Sequence, residues 1–78
     1  MLDPRLVDSI ARVLRLDPAR ITPETSAQTT ASWDSVAHLG LILELEDVFG
    51  VRFPSEQIPV LNSVARLQEA ISRLNGSA

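Results

Sequence analysis

From Ser35 to Phe49 the chain has no proline and one glycine, Gly40, and Gly50 follows directly. A stretch this long, dense in Leu, Ile and Val and closed by a glycine, predicts an α-helix over 35–49. Its apolar residues are too many for one face. At about 100° per residue, Leu41, Leu45, Val48, Ile42, Phe49 and His38 gather on one side. Val36, Leu39 and Leu43 lie roughly opposite, with Gly40, Glu46 and Asp47 among them. The first set is the expected core face. The second is an apolar strip bordered by carboxylates on a side that a surface helix ordinarily keeps polar.

The rest of the chain organises around that helix. Asp3-Pro4 is an N-cap with proline at the first helical position. Leu6, Ile10, Val13 and Leu14 recur at helical spacing with Val7 on the flank, which predicts a helix over 4–16 stopped by Asp17-Pro18. Residues 17–34 are rich in Pro, Thr, Ser and Ala and show neither period, so they read as a long loop anchored by Leu16, Ile21 and Trp33. A connection of that length in a small domain is uncommon and usually functional. Residues 51–61 hold a short polar piece between two prolines, predicting a short helix at about 55–59 with Ser55 as its cap. Asn62 is the expected cap of a last helix over 63–74, striped by Val64, Leu67, Ile71 and Leu74 and ended by Asn75-Gly76. A chain of 78 residues supports one core, and with no cysteine it has no disulfide to staple it. The expected fold is all-α: one domain over 1–78, a small four-helix bundle of three longer helices plus a short third helix.

Charge narrows the partners. The net charge is −3, and after residue 30 six acids face three arginines. That balance argues against nucleic acid and anionic membrane as partners and for a basic protein surface. No apolar run approaches a membrane span, and Met-Leu-Asp-Pro-Arg at the start lacks the basic and apolar regions of a signal peptide. A cytoplasmic location is expected. The initial Met and the polar Asn-Gly-Ser-Ala end fit a free-standing protein, and a domain excised from a synthase would look the same.

Ser35 stands at the start of the most apolar helix, behind Trp33 and Asp34. Asp34 is the natural N-cap, and Trp33 a plug holding the loop to the bundle. His38, three residues on, invites a Ser–His hydrolase reading, but Trp-Asp-Ser-Val-Ala is not the G-x-S-x-G elbow. The plainer expectation is a partly buried histidine hydrogen-bonded near the loop. Glu44, Glu46 and Asp47 lack the spacing of a calcium loop, so no metal is expected. For the strip of Val36, Leu39 and Leu43 two readings stay open, scattered exposed side chains or a docking face for partner proteins.

The segment W-D-S-V-A-H-L-G-L-I-L-E-L-E-D-V-F-G-V-R-F-P resembles the centre of acyl carrier proteins, whose hallmark is Asp-Ser-Leu at the start of the second helix. The resemblance runs over nearly the whole chain, including the long first loop and the short third helix. It implies that Ser35 is the covalent attachment point of phosphopantetheine, delivered from coenzyme A by a phosphopantetheinyl transferase. It implies a non-catalytic, monomeric carrier of acyl thioesters, acted on by an acyl-loading ligase or acyltransferase and by a ketosynthase or other acyl-processing enzymes. The arm would bring the thiol that the chain lacks. By the same resemblance Asp34 is read by the transferase, and Val36, Leu39, Leu43, Glu46 and Asp47 bind partners.

The chain departs from that pattern at Val36, which replaces the usual Leu, and at Gly40, which replaces a common acid. Only Glu56 is acidic in the third-helix region. These departures favour a specialised pathway, polyketide, modified lipid or similar, over primary fatty acid biosynthesis. Peptidyl carriers usually show G-G-x-S where residues 32–35 read S-W-D-S. An aminoacyl or peptidyl cargo stays open as an alternative, as does a docking module that never bears the cofactor.

Overall fold

Asp3 opens the first helix, α1 (Pro4–Leu14), by accepting the Arg5 amide at 2.9 Å. The computed structural model describes residues 2–75; Gly76, expected to help end the last helix, lies outside them. Hydrogen bonding to Arg5 holds the Asp3 carboxyl below its usual range, so the cap stays charged at neutral pH. The apolar stripe puts Leu6, Ile10 and Leu14 in the core, with Val7 and Val13 half-buried beside them. α1 ends two residues before the expected 16. Arg15 turns into the left-handed region at φ 58°, and the Arg15 and Leu16 amides both close on the Ala11 carbonyl. Asp17-Pro18 starts something instead of stopping it: Asp17 caps a short 3-10 turn, Pro18–Arg20.

The remainder of the long loop is a run of tight turns stitched to the far end of the chain. Ser26 pairs with Ser63 in an isolated β-bridge, and the Ala27 amide donates to the Asn62 carbonyl at 3.0 Å. The carbonyls of Thr25 and Pro23 accept the Val64 and Ala65 amides at 2.9 and 3.0 Å. The loop thus satisfies amides in the first turn of the last helix, which would otherwise need water. Ile21 and Trp33 are buried, and Leu16 packs against the core from half-burial.

The second helix, α2 (Ser35–Phe49), is capped by Asp34 through the Ala37 amide at 2.8 Å and ended by Gly50 at φ 64°. Leu41, Ile42, Leu45 and Phe49 are buried and face α1, with Val48 half-buried. The short third helix, Ser55–Val60, is 3-10 in form. Pro59 has no N–H to donate, so α-helical bonding cannot run through the segment. Ser55 does not cap it: Pro54 holds that position, with no side-chain bond. The last helix, α3 (Val64–Leu74), is capped by Ser63 and not by Asn62. Val64, Leu67, Ala70 and Ile71 are buried, whereas Leu74 reaches solvent. Among the described residues there is no β-strand, and the architecture is the all-α arrangement of three longer helices with a short third.

Candidate functional site

The start of α2 is exposed, and its exposure follows from how Asp34 is built in. Asp34 is extended, so its carboxylate takes the Ala37 amide while its carbonyl takes the His38 amide, each at 2.8 Å. Those bonds leave the Ser35 and Val36 amides without an acceptor among the described residues, at the positive end of a fifteen-residue helix. The Ser35 side chain is exposed, and among the described residues nothing hydrogen-bonds to its hydroxyl. An oxygen ester of phosphate fits here: the hydroxyl is free, and the neighbouring amides favour an anion.

Behind Ser35 lies a pocket of about 320 Å³ lined by Ala27, Trp33, Asp34, Ser35, His38, Pro59 and Asn62. Trp33, only 3% exposed, is more than the expected plug. Its indole N–H donates to His38 Nδ1 at 2.9 Å, and His38 Nε2 meets the Ile58 carbonyl at 2.7 Å. An indole nitrogen can only donate, so Nδ1 is the acceptor and Nε2 carries the proton that Ile58 accepts. Both ring nitrogens are engaged. His38 therefore has no lone pair for the Ser35 hydroxyl, and the Ser–His hydrolase geometry is absent among the described residues. Sequence reasoning placed His38 near the loop but gave no partner, because Ile58 is twenty residues away and on another element.

On the outer side of α2, Val36, Leu39 and Leu43 are 80%, 57% and 66% exposed. Gly40 lies between them with open space where a Cβ would be. Asp47 is exposed at the lower edge. Glu46 is different. It is half-buried, and its Oε2 accepts the Phe53 amide at 2.9 Å, which fixes the strand of chain leaving Gly50. Glu44 is turned to α1, where it pairs with Arg12 at 2.9 Å. The structure thus brings Asp34, Ser35, Val36, Leu39, Leu43 and Asp47 onto one accessible surface and ties Glu46 into its margin. Among the described residues no group of three or more His, Asp or Glu is placed to hold a metal, and no helix is long and apolar enough to cross a membrane.

Comparison with known proteins bears on the same region. Residues 4–71 match the family model described as the phosphopantetheine attachment site. The acyl carrier protein of Micrococcus luteus is 32% identical over 80% of this chain and 73% of its own length. That of Thermosynechococcus vestitus is 33% identical over 81% of this chain and 78% of its own. The meromycolate extension acyl carrier protein of Mycolicibacterium aurum is 29% identical over 88% and 71%. Proteins of this family carry acyl groups on covalently attached phosphopantetheine, are modified by phosphopantetheinyl transferases and work with acyl-processing enzymes. The family match from the first turn of α1 into α3, together with 32–33% identity to acyl carrier proteins over most of their length, means that the chain belongs to the acyl carrier protein family.

Proposed function

We propose that Ser35 bears the phosphopantetheine and that this protein is a non-catalytic, monomeric, cytoplasmic shuttle of acyl thioesters in a specialised pathway. Polyketide, modified lipid or a similar acyl product is the class of output. The observation that carries the reading is the unengaged Ser35 hydroxyl at the exposed start of α2. Asp34 keeps the first turn wound, so Ser35 offers its oxygen to an external transferase while the Ser35 and Val36 amides stay available to an anion. When bound, the cofactor supplies the thiol for thioester formation, which a chain without cysteine cannot supply. Val36, Leu39 and Leu43 give the docking surface its short apolar contact, and Asp34, Glu46 and Asp47 give it negative charge. The partners are the transferase, an acyl-loading ligase or acyltransferase, and a ketosynthase or other acyl-processing enzyme. The departures at Val36 and Gly40 support a dedicated carrier over one of primary fatty acid synthesis.

Acetyl-coenzyme A and a promiscuous phosphopantetheinyl transferase test this directly. The intact mass should rise by acetyl-phosphopantetheine, and neutral hydroxylamine should then remove the acetyl group alone. A chain that stays at its starting mass would be an unmodified docking module that uses the same strip.

A further inference from the structure

Trp33 and His38 both line the pocket beside Ser35. Trp33 comes from the loop, His38 from α2 and Ile58 from the 3-10 segment, and two hydrogen bonds of 2.9 and 2.7 Å join all three at one point. Trp33 is also part of the core, in one cluster with Ile21, Leu41, Ile42 and Leu61. Parting these elements to admit a guest would strip a half-buried imidazole of both partners and leave a buried indole N–H unpaired. The pocket also has a polar lining residue. Asn62 lines it from half-burial, and its side-chain amide has no partner among the described residues, which leaves a donor and an acceptor for a polar guest.

We propose that the Trp33–His38–Ile58 tie bars the bundle interior to the cargo, so that this carrier holds short or polar acyl groups outside the core, beside Ser35, and disfavours long alkyl chains. The proposal rests on Ser35 bearing the arm. Each methylene withdrawn from water favours burial by about fourfold, so a long chain kept outside forfeits a large gain. A short or polar acyl group forfeits little, and Asn62 can hydrogen-bond to its oxygens.

The transferase can install acetyl- or dodecanoyl-phosphopantetheine from the matching acyl-coenzyme A, with intact mass confirming each product. Trp33 is the chain's one tryptophan, so its emission reports on the tie itself. In the wild type the two loaded forms should share one emission spectrum, one melting midpoint and one rate of hydroxylamine cleavage. In His38→Ala the dodecanoyl form should melt above the acetyl form and lose its acyl group more slowly. A wild-type dodecanoyl form with shifted Trp33 emission and a midpoint raised by more than about 5 °C would overturn the proposal. The wild-type comparison decides even if His38→Ala fails to fold. A folded His38→Ala that treats both cargoes alike would remove His38 from the role. Failure to gain mass would instead remove the attachment at Ser35, and the proposal with it.

Discussion

At Glu46 a single carboxylate serves the fold and the surface at once. One oxygen holds the Phe53 amide at 2.9 Å, while the side chain borders the exposed strip of Val36, Leu39 and Leu43. Asp47, the next residue, is exposed on the strip's other edge. Removing Glu46 leaves an amide of a buried residue without its charged acceptor, a loss of about 1–3 kcal/mol. Glu46→Ala should therefore lower the urea midpoint clearly, whereas Asp47→Ala should stay within about 0.5 kcal/mol of the wild type. Equal midpoints for the two variants would contradict the structural role of Glu46. A charge-reversal test of docking is consequently cleaner at Asp47 than at the pair. Sequence spacing put both acids beside the strip but could not separate them, since the Phe53 amide reaches Glu46 only after the chain has turned at Gly50. Asp34 and Ser35 were legible for the opposite reason: cap and first helical residue are adjacent, and their geometry is local.

At the scale of elements, α2 carries the argument because it is apolar on two sides and only one is buried. Leu45 is 0% exposed and Leu43 is 66% exposed, two residues apart on opposite faces. Leu45→Ala should cost about 2–5 kcal/mol, enough to take most of a small domain's stability. Leu43→Ala should leave the thermal midpoint nearly unchanged and instead slow modification by the transferase. Similar thermal losses would contradict the placement of Leu43 on an exposed face. Helical periodicity made this rotation readable, and the core positions of α1 and α3 with it. Element ends were less readable. Arg15 ends α1 in a left-handed conformation that glycine or asparagine ordinarily takes, so no residue type announced it. At α3, Asn62 and Ser63 are both good caps by type. The choice falls to Ser63 because the loop's Ala27 amide already holds the Asn62 carbonyl.

Across the whole molecule, the features that position Ser35 are long-range. The loop before Ser35 is held to α3 through the Ser26–Ser63 bridge and to the 3-10 segment through His38. A loop with no periodicity contained no sign of either contact, although its length pointed to a function. The radius of gyration, 11.3 Å, is what a fully folded chain of this length shows, so the loop is packed and not slack. Among the described residues Ser35 is the one serine at a wound, capped and open helix start, and the central claim is that it alone is modified. The most direct measurement is peptide mapping by mass spectrometry after treatment with coenzyme A and transferase, on the wild type and on Ser35→Ala. The account predicts phosphopantetheine on the Ser35 peptide and none on any peptide of the folded variant. Label on another serine, or on folded Ser35→Ala, would contradict it.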